Sequence, residues 1–207
     1  RSQLGNGTTT SRSAPVAVTT AGTPLAGRTV SAIATGAYHT LVLCTDGTLV
    51  TWGSNNFGQL GNGGSSDSSL PVAVTVAGTP LAGKTPVAVA AGGLYNLVLC
   101  SDGSLISWGG GLNGQLGNGT TANSSLPVAV TTYGVLAGKT VTALRPGGQF
   151  CMVQCSDGTL VSWGYGNDGC LGVGSFTTHP TPVQVNSAVL SQGEKFLSIF
   201  AGPQAWH

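Results

Sequence analysis

Residues 52–63 read Trp-Gly-Ser-Asn-Asn-Phe-Gly-Gln-Leu-Gly-Asn-Gly, and pieces of this stretch recur along the chain. Its Trp-Gly pair returns at Trp108 and Trp163, at steps of 56 and 55 residues (108−52 and 163−108). Two further sets of equivalent positions, which we call columns, recur at the same step. Gln-Leu-Gly occurs at 3–5, 59–61 and 115–117, with Cys-Leu-Gly at 170–172, and proline occurs at Pro15, Pro71, Pro127 and Pro182. Independent columns that share one period identify a tandem repeat.

Each repeat contains four short apolar runs, which in the first complete period are 29–34, 40–44, 48–52 and 70–74. Asp46-Gly47 stands between the second and third runs. This pair is a strong hairpin signal, because glycine adopts the positive φ that the turn needs. Pro71 cannot donate a ladder hydrogen bond, so the fourth run suits an outer edge strand. Four strands per fixed period predict the blades of a β-propeller, with a β-solenoid of shorter repeats as the rival architecture.

We therefore predict an all-β fold, a β-propeller of four-stranded blades with about three complete blades and a partial blade at each end. The predicted units of this single array are a partial blade with an outer strand at 1–28, complete blades at 29–84, 85–139 and 140–194, and a partial blade with an inner strand at 195–207. A propeller is stable because its ring closes and leaves no exposed edge. Open ends predict either a piece of a longer protein or copies that pair to complete a ring.

Three segments of the repeat resemble a known family. They are Gly36-Ala37-Tyr38-His39-Thr40, Asp46-Gly47-Thr48-Leu49 and the stretch 52–63. Together they resemble the regulator of chromosome condensation repeat, and the resemblance implies a seven-bladed propeller. Members of that family include exchange factors for small GTPases, secreted bacterial proteins and inhibitors of β-lactamases. The low charge and the spacers Pro-Val-Ala-Val and Leu-Ala-Gly-Lys-Thr look most like the bacterial, surface-associated members.

The charge content of the chain excludes several classes of partner. Charged residues make up 6% of the 207 residues, the net charge is +1, and the seven Lys and Arg form no basic run. Nucleic-acid binding proteins carry a basic patch that neutralises phosphates, so no nucleic-acid partner is expected. No apolar stretch reaches about 18 residues, so no membrane span is expected either. The hydrophobic content of 41% favours a packed fold over a low-complexity linker.

No set of residues has the spacing of a catalytic or metal site, so we expect neither an enzyme nor a cofactor. The three histidines, His39, His179 and His207, share no metal-ligand spacing. The glycine-rich segments 58–63 and 114–119 precede no predicted helix that could hold a phosphate. The residues that we assign to the structural motif are His39, Asp46, Trp52, Asp102, Trp108, Asp157 and Trp163. Among them the three aspartates are expected to shape turns and His39 to pack in the core.

The five cysteines are predicted to be unpaired. Cys44, Cys100 and Cys155 occupy one column, and equivalent positions of neighbouring blades lie too far apart for a disulfide. Cys151 and Cys155 lie four residues apart on one extended strand, which also prevents pairing. We expect buried apolar thiols, with Cys170, in a loop column, as the most exposed of the five.

Partner contacts are expected from two groups of residues. One is the basic column Arg28, Lys84 and Lys139, which should share a face of the ring with the turn aspartates. That face is either a solvated rim or a docking surface. The other is the long loop after the third strand, with Asn55, Asn56 and Phe57, because loops on a rigid frame carry binding.

Arg145 interrupts a small-residue column of the first strand, at the position of Ala34 and Ala90. The first strand should line the central channel of the propeller. The Arg145 side chain is therefore expected either to reach the channel mouth or to bind an anion or an acidic group of a partner.

Taken together, these patterns predict a non-catalytic scaffold that binds a protein partner and is extracellular or on a bacterial surface. The family resemblance raises a first alternative, nucleotide exchange on a small GTPase. The open ends raise a second, a structural protein whose copies self-associate.

Overall fold

The computed structural model describes residues 2–187, and over that range it contains twelve β-strands and no α-helix. The strands form three separate antiparallel sheets of four. Within each sheet every strand pairs with the next one along the chain. The prediction of an all-β array of four-stranded propeller blades is therefore confirmed.

Each blade occupies one repeat. Blade 1 consists of β1 Val30–Thr35, β2 His39–Cys44, β3 Leu49–Gly53 and β4 Ser68–Ala73. Blade 2 consists of β5 Pro86–Ala91, β6 Tyr95–Cys100, β7 Leu105–Gly109 and β8 Ser124–Ala129. Blade 3 consists of β9 Val141–Pro146, β10 Phe150–Cys155, β11 Leu160–Gly164 and β12 His179–Gln184. Among the inner strands, β5 lies next to both β1 and β9, and the proline-bearing strands β4, β8 and β12 lie at the outer edges.

The hairpin between β2 and β3 forms as its sequence predicts. Gly47 has a φ of 83°, in the left-handed region that glycine adopts without strain. Asp46 Oδ1 accepts a hydrogen bond of 2.9 Å from Thr48 N, which closes the turn. The ladder then runs in register from Leu43 opposite Leu49 to His39 opposite Gly53.

Apolar side chains pack between the blades rather than in one central core. The two middle strands of blades 1 and 2 are buried on both faces, because each face meets a neighbouring layer. Leu41 and Leu49 of blade 1 pack against Ile106 and Trp108 of blade 2. A corresponding cluster joins blade 2 to blade 3 around Leu97 and Trp163. Burial of this apolar surface is the main favourable contribution to folding.

Residues 2–29 cover part of the free face of blade 1. Leu25 and Val18 pack against Val50 and Trp52, so this face keeps an apolar cluster of its own. The structure assigns no strand to residues 2–29, although the sequence predicts an outer strand there. A strand needs a hydrogen-bonded neighbour, and no described residue supplies one to Pro15–Val18. The predicted inner strand at 195–207 lies outside the described residues, and the boundaries of both partial blades stay predictions.

The strands place two sets of connections at opposite ends of the blades. The loop face, as we name it, carries the turns between first and second strands (36–38, 92–94 and 147–149) and the loops between third and fourth strands (54–67, 110–123 and 165–178). The ion-pair face carries the turns 45–48, 101–104 and 156–159 and the inter-blade segments 74–85 and 130–140. Residues 2–187 contain no helix that is long and apolar enough to cross a bilayer.

Candidate functional site

Each motif tryptophan joins its blade to the chain segment before it. Trp108 Nε1 donates to the backbone oxygen of Gln59 over 3.0 Å, and Trp163 Nε1 donates to that of Gln115 over 2.9 Å. Trp52 makes the same bond to Gln3. Gly5, Gly61 and Gly117 lie directly beneath these indole rings. The recurring Trp-Gly and Gln-Leu-Gly columns are therefore two halves of one inter-blade joint, and their role is structural.

His39 belongs to the same joint. Its Nε2 lies 3.0 Å from Asn96 Oδ1, and Asn96 Nδ2 donates to the Gln59 backbone oxygen over 2.8 Å. Burial lowers the pKa of His39 to about 4, a shift that the hydrogen bond from His39 Nε2 to Asn96 Oδ1 only partly opposes. The imidazole is therefore neutral near pH 7 and links blade 1 to blade 2.

The basic and acidic columns meet on the ion-pair face. Arg28 Nε lies 2.8 Å from Asp46, and the lysines of the other two blades lie 2.5 Å from their aspartates. The equivalent lysine–aspartate pairs are Lys84 with Asp102 and Lys139 with Asp157. Each cation also contacts a hydroxyl group two residues beyond its aspartate. Each cation is thus matched by an aspartate of the blade that follows it in the chain. A docking role for Arg28, Lys84 and Lys139 stays a prediction.

The ion pairs predict a specific pH dependence. The hydrogen bond from Lys84, followed by those from Ser104, lowers the pKa of Asp102 to about 2. A carboxyl whose pKa lies below its unfolded value of about 3.9 stabilises the fold above that value and loses this contribution as the pH falls through the folded pKa. We expect Asp102→Asn to be slightly less stable than wild type at pH 7, and the difference to vanish between pH 4 and pH 2.

Urea unfolding at pH 7, pH 4 and pH 2 measures this difference. It should be small throughout, because water and salt screen exposed ion pairs. A difference that stays constant across the three pH values would show that the Asp102 carboxylate is not stabilised by its partners.

The cysteines are free thiols, as predicted. Cys44, Cys100, Cys151 and Cys155 are buried, and Cys170 is half-buried, which makes it the most accessible of the five. Burial raises the pKa of the thiol in each of them. Such thiols are protonated near neutral pH and are poor nucleophiles.

The structure corrects one member of the predicted contact loop. Asn55 is fully buried, and its Oδ1 accepts a 2.9 Å hydrogen bond from Leu60 N while its Nδ2 donates to Gly64 O. Its side chain therefore shapes the loop and has no surface to present to a partner. Asn56 is exposed and Phe57 is half-buried. Arg145 is half-buried in β9, where its guanidinium donates to Leu144 O over 2.9 Å.

Phe57 lines a small hollow on the loop face, between the loops of blades 1 and 2. The apolar walls are Phe57, Leu94 and Leu112, and the volume is about 120 Å³. Leu112 is 63% exposed, which is high for a leucine in a folded protein. Gly110 lies in the hollow at the position that Ser54 holds in blade 1 and Tyr165 in blade 3. Because Gly110 has no side chain, the space stays open.

Amide side chains complete the hollow. Gln115, Asn113, Gln149 and Asn123 all line it. Asn113 Nδ2 donates to Gln149 Oε1 over 3.0 Å, which joins the loop of blade 2 to the first turn of blade 3. Phe57 is the one residue of the predicted contact set that the hollow includes.

Sequence reasoning did not find Leu112, Leu94 or Gln115. The signal was present in the repeat columns, because Leu112 occupies a position that is asparagine at Asn56 and Asn167. An apolar residue in an otherwise polar loop column is the kind of departure that marks a surface site.

A larger hollow, of about 310 Å³, opens on the ion-pair face between Asp46 and Lys84. Both charged groups are already engaged in ion pairs. Among residues 2–187 no three His, Cys, Asp or Glu side chains are grouped as metal ligands would be. Of these two hollows, the loop-face hollow is the one whose lining holds no charged residue.

Comparison with known proteins agrees with the repeat pattern. The model described as "Regulator of chromosome condensation (RCC1) repeat" matches residues 1–43, 46–99, 102–154 and 157–204, and a second model of this repeat matches 30–59. The human protein named "E3 ubiquitin-protein ligase HERC2" is 31% identical over 200 residues, 97% of this chain and 4% of that protein. The Arabidopsis thaliana "Ultraviolet-B receptor UVR8" is 31% identical over 156 residues, 75% of this chain and 34% of that protein.

Solved structures share the fold. Human WBSCR16 superposes with a TM-score of 0.70 at 25% identity, over 88% of this chain and 44% of that chain. Prp20p of Saccharomyces cerevisiae superposes with a TM-score of 0.67 at 23% identity, over 80% of this chain and 40% of that chain. This chain thus spans less than half the length of each of these relatives. With matched repeats along nearly its whole length and three blades of the corresponding fold, the chain belongs to the regulator of chromosome condensation repeat family.

Proposed function

We propose that this chain is a protein-interaction module and that its loop face makes the contact. The observation that carries the proposal is a group of apolar side chains on the loop face that surrounds an uncharged hollow. The ion-pair face also exposes apolar side chains, at Val76 and Tyr133, but there the three cations of the basic column are matched by aspartates. On the loop face, exposed and half-buried apolar side chains stand beside amides on rigid strand ends. Exposed apolar groups rimmed by polar ones are typical of protein-binding surfaces.

Structures of one relative support a protein partner. Prp20p has been characterised structurally together with its binding properties to Gsp1p and histones, and a second structure holds Kap60 bound to yeast RCC1 (Prp20). Those partners belong to the yeast protein. For this chain they favour the class of partner, another protein, without naming it.

Affinity purification from cells of the source organism, with quantitative mass spectrometry, tests the proposal. The tagged wild-type chain is compared with a loop-face variant, Asn56→Arg/Leu112→Arg, and an ion-pair-face variant, Lys84→Ala/Asp102→Ala. The recovered amount of each protein that binds the wild type should fall by about tenfold or more with the loop-face variant, because arginine in an apolar contact is left desolvated and unpaired. The same proteins should still be recovered with the ion-pair-face variant. Partners that persist on the loop-face variant and are lost from the ion-pair-face variant would overturn the assignment of faces.

The location of the protein is also a proposal. The low charge and the repeated spacers favour the bacterial, extracellular members of the family, so we propose an extracellular or surface location. Nucleotide exchange and self-association stay predictions, as no described feature favours them over partner binding.

A further inference from the structure

The loop-face hollow has the size of one apolar side chain. Its volume of about 120 Å³ is enclosed by Phe57, Leu94 and Leu112. An engineered protein cavity of about 150 Å³ is large enough to bind benzene. A leucine, methionine or phenylalanine side chain therefore fits the hollow.

Gln115 places an uncommitted hydrogen-bond donor in this hollow. The residue is only 5% exposed, its Oε1 accepts from Asn113 N over 2.8 Å, and its backbone oxygen accepts from Trp163. Its Nε2 donates no hydrogen bond to any described residue. Water can reach this donor in the unbound protein, because it is not among the buried side-chain atoms that lack a partner. A carbonyl oxygen that entered the hollow would take the place of that water. Because both ends of Gln115 are held, this donor is already in position before binding.

The rim of the hollow carries one hydrogen-bond acceptor and one hydrogen-bond donor side by side. The hydrogen bond from Asn113 Nδ2 to Gln149 Oε1 uses one donor and one acceptor of this pair. It leaves the Asn113 oxygen and the Gln149 amide nitrogen without a partner among the described residues. One acceptor beside one donor is the pattern that a peptide group of an extended chain satisfies.

The lack of charged residues in the lining disfavours a charged side chain of a partner. None of the residues that line the hollow is charged, and the basic column with its aspartates lies on the opposite face. A lysine or glutamate side chain in the hollow would lose hydration and gain no counter-ion. The neutral lining therefore complements a neutral ligand.

We propose that the hollow binds a single uncharged apolar side chain of a partner protein, presented by an extended segment. In this complex a backbone carbonyl of the segment accepts from Gln115 Nε2, and an adjoining peptide group pairs with Asn113 and Gln149. The inference rests on the proposed function, because it names the kind of partner segment that the loop face binds.

Peptide selection tests the inference with the full 207-residue chain. A displayed library of random peptides is selected on the wild type, and the enriched peptides are synthesised and titrated by fluorescence polarisation. We expect uncharged sequences centred on Leu, Met or Phe. Gly110→Tyr should weaken their binding by about tenfold or more, because its ring fills the hollow. The fold should tolerate this change, since tyrosine stands at the same position in blade 3 and a Cβ at Gly110 makes only ordinary contacts.

Two more variants and a control show whether weaker peptide binding comes from a change in the hollow or from misfolding. Gln115→Glu keeps the oxygen that accepts from Asn113 N but removes the donor, and it should weaken the same peptides. Leu112→Ser removes one wall at an exposed position, and Leu126→Ser changes a leucine that is 40% exposed on β8, outside the hollow lining. Leu112→Ser should weaken binding, and Leu126→Ser should leave it unchanged.

Three outcomes would overturn the inference: no peptide that distinguishes the wild type from Gly110→Tyr, equal binding to the wild type and Leu112→Ser, or enriched peptides with charged centres. The proposed function can survive each of these. Cellular partners that are lost with Asn56→Arg/Leu112→Arg but retained by Gly110→Tyr would place the contact elsewhere on the loop face.

Discussion

Replacement of Trp108 by alanine is expected to lower the free energy of unfolding by about 3–5 kcal/mol, the range for truncation of large aromatic side chains in cores. Trp108 is fully buried and packs in the cluster between blades 1 and 2. The substitution leaves a cavity at this junction and removes the indole hydrogen bond to Gln59 O. Chemical denaturation followed by circular dichroism measures the loss, in a chain whose other two motif tryptophans stay in place.

Trp108→Phe is the matched control. It keeps an aromatic ring and removes the indole donor, which is worth about 1 kcal/mol. Its effect should therefore be clearly smaller than that of alanine. Two variants of equal and small effect would mean that the blades are not joined through this side chain.

Gly61→Ala is expected to destabilise the chain by about 2–5 kcal/mol, as the sum of a left-handed backbone penalty and a steric overlap. Gly61 has a φ of 63°, a conformation that favours glycine. A Cβ at this position would lie 2.6 Å from Trp108 Nε1, inside van der Waals contact. The indole would have to shift away from the carbonyl that it donates to.

Gly83→Ala separates the two causes, because Gly83 has a φ of 73° and no atom within 4 Å of its added Cβ. This control should show only the backbone penalty, about 1–2 kcal/mol. Thermal unfolding of both variants under the same conditions gives the comparison. A Gly61→Ala variant no less stable than Gly83→Ala would contradict the close contact between glycine and indole.

The repeat columns predicted the blades because every local signal agreed with the same period. The Asp46-Gly47 turn and the outer strands with Pro71, Pro127 and Pro182 appear where the sequence places them, whereas no strand is assigned around Pro15. The partner of each motif could not be predicted, because the Trp108 indole bonds a residue 49 positions earlier. Such a contact depends on how neighbouring blades stack, and no local pattern encodes that arrangement.

The candidate site was predicted only in part. Phe57 was selected for its place in a long loop, and it does line the hollow. Asn55 was selected on the same grounds but serves the interior of the loop, since loop composition does not distinguish an exposed asparagine from a buried one. The hollow itself arises from an absent side chain at Gly110, and its lining comes from three consecutive blades.

Hydrogen–deuterium exchange of the chain, alone and with its bound protein partner, tests most directly whether the loop face carries binding. The account predicts that the partner slows exchange in residues 110–115 and 147–149, around the hollow, and leaves residues 45–48 and 74–85 unchanged. Slowed exchange confined to 45–48 and 74–85 would place the partner on the ion-pair face and would contradict the account.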